Sequence, residues 1–186
     1  METQPWRRGA VLVPMLSRAP HSLIFVERAQ HLRRHPGQIG FPGGTEEPTD
    51  AGDPQTTALR ELAEEIGVAR DLVSVIGRLP QLEQRMNRFI ITPIVGVLHA
   101  EARFALDGEE IAGIFAAPLA EILAPGAVYE DPATSDVRGR PMYAFDYEGR
   151  HVWGFTGRIL KSFLDAWNAP NSELRTAAQA AWQPNL

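Results

Sequence analysis

Residues 41–68 read FPGGTEEPTDAGDPQTTALRELAEEIGV, a glycine turn, a capped amphipathic helix and three clustered glutamates in succession. Asp53 followed by Pro54 starts the helix: an aspartate N-cap accepts from orphan N–H groups, and proline at the first helical position has no hydrogen bond to lose. Gly67 stops it, because glycine takes positive φ without penalty just past the last turn. Between these limits Leu59, Leu62, Ala63 and Ile66 form one stripe on a wheel of about 100° per residue. That stripe predicts a buried face. Glu61, Glu64 and Glu65 fall on the other side, within roughly 100° of one another.

Like charges at this spacing oppose the helix by roughly 0.2–0.5 kcal/mol per pair, and carboxylates in a last turn also face the negative end of the macrodipole. A solvated acidic face is one account of such a run. The other is a hard divalent cation with oxygen ligands, Mg²⁺ or Mn²⁺, held by all three carboxylates. Arg60 supplies part of the compensation, and the preceding glycine turn favours the cation.

The run from Arg60 to Val68 resembles the second half of the Nudix box, REUxEExGU with U a bulky apolar residue, and Gly44 resembles the glycine that opens it. The family pattern has a glutamate separated from that glycine by five residues and from the Arg-Glu pair by seven. Here forward spacing reaches Asp50 and backward spacing reaches Gly52, so the loop is two residues longer. Glu46, Glu47 and Asp50 are the candidates for that glutamate's role. Upstream, LIFVERAQHLRRHPGQIGFPGG (residues 23–44) carries Arg28-Ala29, Arg33, Gly37 and Phe41-Pro42-Gly43-Gly44 at the spacing that marks the coenzyme A pyrophosphatase branch of the Nudix hydrolases. Ile91-Thr92-Pro93, Glu110-Ile111 and Trp153-Gly154-Phe155-Thr156 look like later landmarks of that branch.

The resemblance implies a Nudix-type α/β/α sandwich with a mixed sheet, the Asp53–Ile66 helix on one face and a Thr156–Trp167 helix near the other. It implies metal-dependent hydrolysis of a diphosphate linkage, coenzyme A giving 4′-phosphopantetheine and 3′,5′-ADP. Glu61, Glu64 and Glu65 would hold Mg²⁺ or Mn²⁺, Arg60 would orient them by ion pairing, and a glutamate of the box or Glu110 would take the water's proton. Arg28, Arg33, Gly37, Phe41, Gly43 and Gly44 would bind substrate. Two other readings stay open: the same chemistry on ADP-ribose or another nucleoside diphosphate derivative, and a nucleotide-sensing module without catalysis.

The remaining chain sets bounds on these readings. Its 186 residues, 44% hydrophobic and 22% charged, suit one soluble domain spanning 1–186. Cysteine is absent, which excludes disulfides and thiolate chemistry and fits a cytoplasmic location. A net charge of −5 argues against broad nucleic-acid binding. The N-terminal METQPWRRGAVLVPML has an apolar run too short, and interrupted by Pro14, for a signal peptide or membrane span. Nothing fixes the oligomeric state, a homodimer included.

Gly9–Met15 and Leu23–Glu27 read as paired strands. His31, Arg33, Arg34 and His35 form a basic loop suited to phosphate, since guanidinium donates in parallel pairs. Leu72–Leu79 and Phe89–Leu98 are β-rich, Pro93 demoting part of the second to an edge or bulge. The polar stretch Pro80–Arg88 reads as a loop. Asp107-Gly108-Glu109-Glu110 is an acidic turn before the apolar Ile111–Leu119, and residues 118–123 suit a short helix. Residues 124–140 read as a long loop, 143–147 and 152–155 as a hairpin, and residues 169–186 as a loose tail.

Overall fold

In the computed structural model, residues 5–33, 35–85, 88–135, 139 and 141–182 are described. Arg34 of the basic loop, residues 86–87, parts of the 124–140 stretch and the last four residues of the expected tail lie outside them. In chain order the elements are β1 (Arg7–Leu16), β2 (Ser22–Arg28), β3 (Ile39–Gly40), β4 (Gly43–Thr45), a 3₁₀ turn Pro48–Asp50, α1 (Pro54–Ile66), a 3₁₀ turn Arg70–Leu72, β5 (Val73–Arg78), β6 (Leu82–Gln84), β7 (Phe89–Leu98), β8 (Ile111–Pro118), α2 (Leu119–Ile122), β9 (Val128–Ser135), β10 (Pro141–Tyr147), β11 (Arg150–Val152), α3 (Gly154–Asn168) and α4 (Glu173–Trp182).

The apolar strands β1 and β7 run parallel in unbroken register from Arg7–Phe89 to Leu16–Leu98. The other side of β1 is shared by β4, antiparallel along Gly9–Val11, and by β2 at Met15. Strand β2 also pairs antiparallel with β8 and β3, while β5 and β6 pair antiparallel with β7. A separate antiparallel sheet runs β11-β10-β9.

Side chains alternate between the two faces of each strand, and this alternation builds the layers. Ala10, Leu12, Ile24, Val26, Ile94 and Leu98 meet Ala58, Leu62 and Ile66 of α1. Their neighbours Val13, Met15, Leu23, Phe25, Val95 and Val97 meet Ile159, Leu160, Phe163 and Trp167 of α3. The expected α/β/α sandwich with a mixed sheet is the observed one. Among the described residues no helix is long and apolar enough to cross a membrane.

Several expectations are corrected. Pro93 lies in the middle of the sheet, opposite Val11 of β1. On its other side the pairing passes from β6, ending at Ile91, to β5, beginning at Ile94, so its missing N–H falls where neither strand needs it; its carbonyl accepts from Leu79 N–H. The polar stretch before β7 includes the short β6, and residues 128–135 are a strand, not loop. The last strand stops at Val152 and α3 begins at Gly154. The expected loose tail holds a helix, α4, whose Leu174 and Ala178 join the α3-side core.

Strand β10 and α3 approach very closely at Gly157, where an added Cβ would stand 1.8 Å from the Tyr143 carbonyl oxygen. Gly157→Ala is therefore expected to destabilise the protein by about 1–3 kcal/mol, read as a lower urea midpoint with an unchanged slope.

Candidate active site

Arg60 is the hub of the site. Its guanidinium is buried on the inner side of α1. Nε donates to Asp50 Oδ1 at 3.0 Å and Nη2 to Asp50 Oδ2 at 2.9 Å; Nη1 reaches Glu61 Oε1 at 3.0 Å and Glu64 Oε2 at 2.9 Å; Nη2 also donates to the Thr45 carbonyl at 3.0 Å. All five donors of the fork are used. Asp50 is just as fully engaged, its Oδ2 also accepting from Glu47 N–H at 2.9 Å and from the Thr57 hydroxyl at 3.0 Å. These bonds, Arg60 foremost, hold its carboxyl far below the usual range. Of the three acidic loop residues, Asp50 is the one that grips Arg60. The longer loop closes behind it through Ala51 and Gly52, both at positive φ.

Strand β4 lies along α1 and meets it residue by residue. Gly43 N–H donates to Glu65 Oε2 at 3.0 Å. At Gly44 an added Cβ would stand 2.3 Å from Glu61 Oε1, so the bare glycine leaves the space that this carboxylate fills. Gly43 has no room either: a Cβ there would meet the Ala10 carbonyl oxygen at 2.4 Å.

The three box glutamates, expected to point the same way on the side opposite the apolar stripe, occupy unlike environments. The Glu64 side chain is 58% exposed and that of Glu61 only 16%; Glu65 is buried, 5% exposed. Burial pushes the Glu65 carboxyl up to about 8, against the pull of Gly43 N–H and with the charges of Glu61 and Glu110 adding to the rise. Burial raises Glu61 too, with Arg60 opposing.

Glu110 borders the same cluster. Its carbonyl accepts from Ala29 N–H at 2.8 Å, its N–H and that of Ile111 are capped by Asp107, and Asp107 N–H donates to the Glu65 carbonyl at 3.2 Å. Arg28 Nη2 reaches Glu110 Oε2 at 3.5 Å. The remaining expected residues divide. Arg33 is exposed on the basic loop. Gly37, at φ 65°, makes a turn pressed against the Gln30 side chain. Phe41 is core, stacked on Phe25 at 4.8 Å between ring centroids, so its side chain does not line the site. Thr57, and the capping role of Asp107 within the acidic turn, escaped the sequence reading. Thr57 shares the helix face of Arg60 and Glu61, and Asp107 opens the Asp-Gly turn, a position whose side chain commonly bonds the backbone ahead of it.

Among the described residues, no three His, Asp or Glu side chains are already arranged to hold an ion; Arg60 ties down Glu61 and Glu64. The donor set is nonetheless the hard-oxygen kind that Mg²⁺ or Mn²⁺ takes. A buried carboxyl pushed toward neutrality beside a second one is short of positive charge, which a divalent cation would supply. A polar cavity of about 190 Å³, lined by Arg8, Glu46, Thr57, Arg78 and Thr92, lies at the N-terminal end of α1 and does not include these glutamates.

A NUDIX domain model matches residues 6–137. Proteins of Yersinia pestis (strain Pestoides F) and Yersinia pseudotuberculosis serotype O:1b (strain IP 31758), each named uncharacterized Nudix hydrolase NudL, are 37% identical over 155 residues, covering 83% of this chain and 77% of theirs. A MutT/nudix family protein from Enterococcus faecalis has a similar structure, with TM-score 0.55 at 12% identity over 94% of this chain and 68% of that one. The NUDIX domain of Shewanella oneidensis NrtR, complexed with ADP ribose, gives 0.50 at 19% identity over 65% and 78%. At such identities these two structures speak for the fold alone.

Replacing Asp50 with Asn leaves a buried guanidinium without its main counter-charge, and a loss of about 3 kcal/mol of stability is expected, measurable by denaturant unfolding at neutral pH. For Glu65 the sign is opposite. Its folded pKa lies above its unfolded one, so the folded state holds the extra proton and stability falls as pH rises from about 5 toward 8. In chelator-treated protein Glu65→Gln should flatten that slope and raise stability at pH 8 by roughly 1 kcal/mol or more, about 2–4 °C in Tm. A variant no more stable than the parent at pH 8 would contradict the buried, charge-poor setting of Glu65.

Proposed function

The chain belongs to the Nudix family, and on that basis we propose that it hydrolyses the diphosphate linkage of coenzyme A or its derivatives to 4′-phosphopantetheine and 3′,5′-ADP. The family places it among enzymes that act on small-molecule diphosphates. The choice of coenzyme A rests on the motif from Arg28 to Gly44. What supports it is that both ends of this motif reach the box glutamates: Gly43 N–H holds Glu65, Gly44 makes room for Glu61, and Arg28 lies close enough to Glu65 to favour its charge.

Nudix hydrolases use divalent cations such as Mg²⁺ or Mn²⁺, and one held by Glu61, Glu64 and Glu65 would neutralise diphosphate oxygens and lower the pKa of the attacking water. The protein's own groups do the rest. Arg60 aims Glu61 and Glu64 and is itself anchored by Asp50. Gly43 N–H fixes the Glu65 carboxylate. Arg28 offers its fork to phosphate oxygens, and Arg33 adds positive charge from the basic loop. Glu110, on the rim and half exposed, receives the proton of the attacking water at its carboxylate.

Incubating the chain with coenzyme A and Mn²⁺ should yield the two products by mass. The same assay on acyl-coenzyme A, ADP-ribose and nucleoside triphosphates ranks the substrates. Preference for ADP-ribose would replace the coenzyme A reading while keeping the chemistry, and tight binding without turnover would make the chain a sensor. Glu64 is exposed, so Glu64→Gln should fold normally and lose about 100-fold or more in metal-dependent rate, beyond the loss typical of groups that only support metal ligands.

A further inference from the structure

Arg28 and Arg60 present the same pair of nitrogens to a carboxylate, with opposite success. Arg60 clasps Asp50 through Nε and Nη2 at 3.0 and 2.9 Å. Among the described residues Arg28 touches Glu110 through Nη2 alone, at 3.5 Å, the outer limit of a hydrogen bond, and its Nε is buried with no partner. A buried donor left without an acceptor is costly, and a guanidinium fork is matched by two oxygens of one anion. Glu110 therefore fills the Arg28 fork poorly. Its backbone is pinned by Ala29 and by Asp107, whose own N–H bonds the Glu65 carbonyl, so the carboxylate moves by side-chain rotation, with Arg28 on one side and the Glu65 end of α1 tied to the same turn.

We propose that Glu110 is a placeholder in a phosphate subsite formed by Arg28. An arriving phosphate takes Nη2 and displaces the carboxylate, which swings toward Glu61 and Glu65, where the water is to be deprotonated. Substrate binding thus completes the reacting set, and without substrate the contact with Arg28 holds the carboxylate back. The inference rests on the reading of this site as one that holds a diphosphate, and not on which nucleotide carries it.

Inorganic pyrophosphate, titrated calorimetrically into the chelator-treated full chain, tests the exchange. Removing the placeholder with Glu110→Ala should tighten binding roughly three- to fivefold, the range of one exposed ion pair. Glu109→Ala, which removes the same charge one residue away, should change it by less than about twofold. In an Arg28→Ala background the gain from Glu110→Ala should vanish. Equal affinity in wild type and Glu110→Ala, or a gain that persists without Arg28, overturns the exchange while leaving the diphosphate site in place. Failure of every variant to bind pyrophosphate, with Mn²⁺ or without it, overturns both.

Discussion

The buried grip of Arg60 on Asp50 is the constraint on which the site depends. A guanidinium out of water is tolerable only with every donor satisfied and its charge matched, and the chain provides this by folding the loop after β4 back over α1. Asp50 takes two donors, the Thr45 carbonyl a third, and Glu61 and Glu64 the remaining two. One cation thus fixes three things at once: the path of the loop, the close lie of β4, and the aim of two carboxylates. Because the carboxyl of Asp50 is held far below its ordinary range, the pair is complete at neutral pH and is lost only on acidification below the ordinary carboxylate range of about 4.

Much of this was legible in the sequence, for identifiable reasons. Local signals are strong at α1: Asp53 caps Gln55 and Thr56, Pro54 opens the helix and Gly67 closes it at φ 72°, as expected. β-rich composition marked the strands at Gly9–Met15, Leu23–Glu27 and Phe89–Leu98, and the family resemblance supplied the two covered faces of the sheet. What local pattern could not give was burial imposed from a distance. A wheel of α1 leaves Glu65 outside the apolar stripe, yet it is seven residues from Ala58 and nearly in line with it along the helix, and that line is covered once β4 arrives. Thr57 and Arg60 look polar and outward on the wheel and are buried for the same reason, by a loop whose path depends on Asp50.

The misread segments share another cause. Residues 128–135 carry Pro132 and few apolar side chains, and they form a strand because β10 offers a ladder of backbone partners from Phe145 to Pro141. The stretch after Asn168 holds scattered alanines, two leucines and Trp182, too little to predict a packed helix. Leu174 nevertheless finds Gly77 of β5, where the missing side chain leaves a place for it. Phe41 fails in the opposite sense: its place in a motif linked to substrate says nothing of side-chain direction, and stacking on Phe25 assigns it to the core. In each case the deciding neighbour lies on another element.

The same dependence on other elements explains why a stable fold carries an electrostatically poor site. Arg60 is one cation facing Asp50, Glu61 and Glu64, and Glu65 lies beyond its hydrogen bonds with the Gly43 N–H as its one donor among the described residues. Burial then turns Glu65 into a group that would sooner be neutral at physiological pH, with its pKa near 8. A surface cluster of acids would spread apart into solvent; this one cannot, because Gly43 and Gly44 bring the backbone of β4 against it with no side chain between. Bare glycine backbone is therefore what keeps the carboxylates crowded, and crowding is what makes the site receptive to added positive charge. Filling either glycine would relieve the crowding by pushing β4 away, and the affinity for a cation would fall with it.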